Sequence, residues 1–195
     1  MRFFAVFSFV ILAIPAFCGE LFDNFSSLAS FSADFVQTNH YAGVDEFSRK
    51  GKVYINRPKI ALWDYPDAPT EYYILEPNLI SHYSEELEQL AKLKANTERS
   101  DDPSGIILGI FLDASSARER FMIEESANKI ILTPKRDMGI ENVILRFKGG
   151  EILSVFSEDS NGNTVLIEFS KVSTRPVPAD RFKKEIPKGT SVYEQ

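Results

Sequence analysis

The sequence predicts a mainly β chain with a few helices, an α+β class in which an antiparallel sheet carries the fold. Three observations lead there. Short runs of β-favouring residues alternate apolar and polar side chains with period two, as half-buried strands do. The breaks between them are rich in Gly, Pro, Asn and Asp and too short for the crossover that a parallel pair needs. Finally, sixteen Phe, seven Tyr and one Trp within 195 residues supply either a large apolar core or an apolar cavity for a single domain over residues 19–195.

Residues 1–18 read as a secretory signal peptide that is not part of that domain. Arg2 is a short positive start, and Phe3 to Ile14 is an apolar run too short to span a membrane. Pro15 breaks the run, and Ala16-Phe17-Cys18 is a tolerable cleavage site before Gly19. Lipidation of Cys18 is the alternative, but Pro15 and Phe17 stand where a lipobox wants Leu and a small residue. Cleavage after Cys18 leaves no cysteine, so an exported chain of this kind is held by its core and not by disulfides. The implied location is the periplasm.

The elements follow in order. Leu21, Phe22, Phe25, Leu28 and Ala29 have helical spacing within Glu20 to Ser30. Phe31 to Gln37 then switches to period two. Phe47 to Ile55, Ile60 to Tyr65, Glu71 to Leu75 and Leu79 to Tyr83 continue an antiparallel meander. Glu85 to Ala95 is ambiguous, with a composition that favours helix. Asp101-Asp102-Pro103 is a helix-start signal, and Ser104 to Leu112 is the helix it starts. Ile106, Ile107, Leu108, Ile110, Phe111 and Leu112 leave that helix almost no polar face, so it is buried or covers something apolar. Phe121 to Glu124 and Lys129 to Thr133 are short strands. Ile140 to Lys148, Glu151 to Ser157 and Thr164 to Val172 form a second meander, with hairpin signals at Lys148-Gly149-Gly150 and Ser160 to Asn163. Pro176 to Arg181 reads as a short polar helix or loop, and the tail to Val192 is extended.

Composition removes several function classes. A net charge of −6 argues against nucleic acid as a partner. His40 and His82 are the only imidazoles, neither lies in a nucleophile motif, and each reads as an exposed strand residue. With one Cys they offer no structural metal spacing. Asp159, Asn161 and Asn163 alternate as calcium ligands do, but no acidic residue closes the set, so they read as turn chemistry. No cofactor or metal is expected, and the chain does not read as an enzyme.

The remaining signal is apolar. Phe31, Phe35, Val53, Ile55, Trp63, Val143, Leu145, Phe147, Val165, Ile167 and Phe169 share the inward parity of a curved sheet. An ordinary core sealed by helices needs these residues, and so does a cavity for acyl chains; composition does not separate the two. Arg57 has the parity of Val53 and Ile55, which aims its guanidinium at their apolar face. Such a charge is costly unless paired. Arg57 either snorkels into water from the strand end or latches something across the face.

Taken in order, Phe31 to Gln37, Gly51 to Pro58, Leu62-Trp63-Asp64-Tyr65, Leu132 to Lys135, the Asp159 to Gly162 turn, and Phe182 with Pro187-Lys188-Gly189 resemble the periplasmic outer-membrane lipoprotein carrier family, LolA. The likeness runs from about Leu21 to Val192. It departs at Leu75-Glu76-Pro77-Asn78, where the family has Ser-Asp-Gly, and at Ile186, where it has proline. The resemblance implies an incomplete, strongly curved antiparallel β-barrel of ten or eleven strands, with Glu85 to Ala95 as a strand. It implies a helical lid, Ile106 to Leu112, over an apolar cavity, with Arg57 as the lid latch. The orphan carbonyls at the end of that helix, near Ile110 to Asp113, are acceptors a guanidinium fork could reach. The implied role is a monomeric soluble chaperone without stable membrane insertion. It would take lipoprotein acyl chains from an inner-membrane release complex to an outer-membrane acceptor. A lipid- or protein-sensing module on the same fold, or a lipid-anchored acceptor if Cys18 is acylated, are the rival readings.

Overall fold

The computed structural model describes residues 20–94 and 103–194; the expected signal peptide, Cys18 and the Asp101-Asp102 helix start lie outside them. Helix α1 (Glu20–Ser27) leads into a first meander. Its strands are β1 (Ser30–His40), β2 (Phe47–Asn56), β3 (Ile60–Tyr65), β4 (Glu71–Glu76), β5 (Leu79–Ser84) and β6 (Gln89–Lys94). Helices α2 (Pro103–Leu112) and α3 (Ala117–Arg120) follow. The second meander is β7 (Phe121–Ser126), β8 (Lys129–Pro134), β9 (Ile140–Lys148), β10 (Glu151–Asp159) and β11 (Thr164–Ser173). A 3-10 turn at Ala179–Phe182 and β12 (Ser191–Glu194) end the chain.

The strands make one sheet in the order β12-β6-β5-β4-β3-β2-β1-β11-β10-β9-β8-β7. Pairing of β1 with β11 joins the two meanders, and β7 and β12 are left as the two edges, so the barrel is open. An extra residue in β11 between Ser170 and Ser173, opposite Ser32 to Asp34 of β1, and another in β10 between Ile152 and Ser154 interrupt the register. Bulges of this kind bend a strand and raise its twist, which curls the sheet around one face. Gly51 is required where the curl is tight: a Cβ there would lie 2.3 Å from the Phe35 ring and 2.7 Å from the Asp64 carbonyl.

Inward parity is clearest in β1, where Phe31, Ala33, Phe35, Gln37 and Asn39 are all buried. The convex side has its own smaller core. Leu62, Tyr72, Tyr83 and Leu90 are covered there by Val177 and Phe182 of the returning tail. Asn56 Nδ2 donates to the Val177 carbonyl at 2.9 Å, and Lys184 pairs with Asp64 at 2.6 Å.

Gln89–Lys94 is a strand, as the resemblance implies and against its helical composition, because it pairs with β5 and Leu90 buries against the tail; residues 85–88 form the turn. Two other expectations change. The sheet has twelve strands among the described residues instead of ten or eleven. The additional one is β12, which runs parallel to β6, with Ser191 N donating to the Glu88 carbonyl at 2.9 Å. The N-terminal helix also stops at Ser27, and Ser30 already belongs to β1.

Candidate functional site

The concave face is the candidate site. All eleven inward candidates lie in one buried apolar cluster: Phe31 and Phe35 on β1, Val53 and Ile55 on β2, Trp63 on β3, Val143, Leu145 and Phe147 on β9, and Val165, Ile167 and Phe169 on β11. The six apolar residues of α2 join the same cluster, so this helix lies across the concave side. Phe111 is at its centre. Its ring lies 5.5 to 5.7 Å from those of Phe25, Phe31, Trp63 and Phe169, all edge-on or tilted, the favoured geometry for aromatic pairs.

Helix α1 packs beside α2. Glu125 of β7 accepts the N–H groups of Leu21 and Phe22 at 3.1 and 3.2 Å, where a carboxylate also meets the positive end of the helix dipole. Phe22 and Phe25 then point into the common core.

Arg57 follows β2 directly and does not reach into water. Its Nε donates to the Phe111 carbonyl in the last turn of α2 at 2.7 Å, and a terminal nitrogen donates to the Phe25 carbonyl in the last turn of α1. The guanidinium also lies 4.5 Å from the centre of the Phe25 ring. One cation therefore meets the negative ends of two helices. Burial pushes the Arg57 pKa down to about 10, partly offset by Asp113, so the group stays charged at neutral pH. Its second terminal nitrogen is buried without a partner among the described residues.

A second feature was not anticipated. A polar band crosses the concave face of β1 to β5 at one end. Gln37 Nε2 donates to Asn39 Oδ1 at 3.0 Å, and Tyr65 OH donates to Gln37 Oε1 at 2.6 Å. Arg49 lies 4.4 Å over the Tyr65 ring and pairs with Glu71. Tyr73 OH and His82 Nε2 both meet Glu71 Oε1 at 2.7 Å, and the Tyr73 and His82 rings stack at 4.2 Å. His82 is thus a half-buried member of a network and not the exposed strand residue expected; His40 is exposed as anticipated. Burial pushes the Glu71 carboxyl up, but hydrogen bonds from His82, Arg49 and Tyr73 outweigh it and hold Glu71 at about 2. Gln37 and Asn39 continue the parity of Phe35, and Arg49 that of Val53, so their facing was readable. That they meet Glu71 and His82 depends on which strands are neighbours.

Between the band and the apolar floor lies a cleft of about 490 Å³, bordered on the α2 side by Ser104, Gly105 and Leu108. A smaller cleft of about 270 Å³ opens at the α1 side, walled by Phe25, Leu28, Phe31, Phe147, Ile152 and Val172. Elsewhere, Asp159 accepts from the backbone of Asn161 and Asn163 at 2.8 and 2.9 Å, which is turn chemistry.

An open half-barrel with an apolar interior under an apolar helix defines a class of protein built to enclose apolar groups. The chain belongs to the outer membrane lipoprotein carrier protein LolA family, whose model matches residues 26–185. An outer-membrane lipoprotein carrier protein from Ralstonia nicotianae is 25% identical over 183 residues, covering 87% of this chain and 83% of that one. One from Dechloromonas aromatica is 27% identical over 199 residues, covering 94% and 92%. Among solved structures, a LolA superfamily protein from Nitrosomonas europaea superposes with a TM-score of 0.51 at 11% identity, covering 84% of this chain and 96% of that one, a likeness of fold.

Proposed function

We propose that this chain is a periplasmic lipoprotein carrier that shields acyl chains under α2 while it takes lipoproteins from the inner to the outer membrane. The observation that carries the reading is the α2 interface. A ten-residue helix without a polar face closes an apolar concave wall, and a buried cation, Arg57, bonds the helix's own end.

Without cargo, Phe111 and its aromatic neighbours fill the interior and Arg57 holds α2 down. Acyl chains entering the face would take the place of the lid's side chains. A hydrogen bond from a charged donor is worth roughly 1.5–3 kcal/mol, and each buried methylene about 0.8 kcal/mol. Burial of only a few methylenes therefore outweighs the bond between Arg57 and Phe111. Once the chains leave, the bond re-forms and favours the closed state, which helps to release cargo to an acceptor. An inner-membrane release complex and an outer-membrane acceptor are the partners this cycle requires.

Native purification from cell envelopes, followed by mass spectrometry of what co-purifies, tests the reading. Acylated proteins in the bound fraction are expected. A bound fraction free of them, or a mature N-terminus at a diacylglyceryl Cys18, would overturn a soluble carrier.

A further inference from the structure

An acyl-chain cavity has no need of polar side chains, and buried polar groups cost free energy unless they are satisfied. Yet eight of the residues lining the larger cleft are polar or phenolic, and six of them, Gln37, Asn39, Arg49, Tyr65, Glu71 and Tyr73, belong to the band. Their hydrogen bonds have a direction. Every side-chain acceptor of the amides and the carboxylate is supplied from inside the band. Glu71 Oε2 receives Arg49, Glu71 Oε1 receives Tyr73 and His82, Gln37 Oε1 receives Tyr65, and Asn39 Oδ1 receives Gln37.

What is left over is donors. An amide nitrogen carries two N–H groups and a guanidinium five. Gln37 uses one in the band, the Asn39 amide N–H groups meet no acceptor among the described residues, and Arg49 gives only its two terminal nitrogens, to Glu71 and the Pro69 carbonyl. Trp63, which lines the same cleft, has a buried indole N–H without an acceptor among the described residues. Orphan donors beside an apolar floor call for an outside acceptor next to apolar chains. Charge narrows the choice. Arg49 is already neutralised by Glu71, so the band holds no unpaired cation for a phosphate.

We infer that this band is a subsite for the neutral ester and amide carbonyls that join acyl chains to a lipid-modified cysteine. The inference rests on the carrier reading above. The chains would lie on the apolar floor and their carbonyls would meet the donors of Asn39, Gln37 and Trp63. Since Ser104, Gly105 and Leu108 of α2 border the same cleft, movement of the lid opens chain floor and carbonyl band together.

The test uses the full mature chain and three defined probes. One is a cysteinyl lipopeptide with two ester-linked palmitoyl chains, the second is its ether-linked counterpart, and the third is dipalmitoyl phosphatidylglycerol. Emission of Trp63, the only tryptophan, reports binding. The ether probe is the more apolar, so hydrophobic transfer alone favours it. The band predicts the reverse, a preference of about five- to tenfold for the ester, the size of one or two added hydrogen bonds. Asn39→Leu, and separately Gln37→Leu, should bring that ratio close to one. A wild-type ratio at or below one overturns the subsite, and the wild-type measurement needs no variant to fold. An unchanged ratio in both variants removes the band as its source. Equal binding of the phospholipid overturns the assignment to a cysteine linkage. Failure to bind either lipopeptide would instead strike the carrier reading itself.

Discussion

Replacing Arg57 by leucine removes both bonds that tie helix ends to β2 and leaves apolar bulk in their place. Only one of them reaches α2, the 2.7 Å contact from Nε to the Phe111 carbonyl; the other holds α1 through Phe25. Losing a charge-assisted bond is worth roughly 1.5–3 kcal/mol. Burial already depresses the guanidinium pKa to about 10, so part of that value is spent on desolvation, and leucine escapes the cost. The lower end, about 1.5 kcal/mol, is therefore the expected shift, or roughly tenfold in the open-to-closed ratio of α2. Amide hydrogen exchange without cargo reads this directly: protection of Ile106 to Leu112 should fall about tenfold, while β9 to β11 should keep theirs. With cargo, Arg57→Leu should load normally and release slowly, since closure no longer helps to expel the chains. Arg57→Lys should fall between, because it keeps the charge and loses the fork. Unchanged exchange in α2, together with release as fast as wild type, would refute the latch.

The other predictions concern packing and charge. Gly51→Ala places a Cβ against the Phe35 ring and, less avoidably, the Asp64 carbonyl, so a loss of roughly 2–3 kcal/mol is expected in urea unfolding. Phe111→Ala should cost about 3–5 kcal/mol in the cargo-free chain, and the deficit in melting temperature should shrink when an acylated peptide fills the space. Glu71 has a folded pKa of about 2 against an ordinary 4.5, so its contribution to stability is complete above pH 4.5 and is lost as pH falls toward 2. Glu71→Gln should lower the denaturation midpoint at neutral pH and flatten its decline below pH 4.5; a decline as steep as that of wild type would show that other carboxylates govern acid unfolding.

Which side chains face inward, and where the all-apolar helix α2 lies, could be read from the sequence alone. Both follow from local geometry: period two sends Phe31, Phe35, Val53 and Ile55 to one face, and six large apolar residues in a ten-residue helix have only a buried environment to occupy. The inward aim of Arg57 was legible on the same parity. Its partners were readable only in part, since the end of α2 was anticipated and the Phe25 carbonyl was not. Contacts set by strand order and register stayed hidden. Composition argued for helix over Gln89–Lys94 until β5 and the returning tail gave Leu90 a place to bury. The parallel seat of β12 depends on a tail that first crosses the convex face through Val177 and Phe182. The polar band is the clearest case. Asn39 and His82 are separated by four strand pairings, and no local propensity of either residue records that β1 to β5 lie side by side with their polar ends in line. Periodicity is a property of neighbours along the chain. Register is settled by the summed burial and hydrogen bonding of the whole sheet, which exists only once the chain has folded.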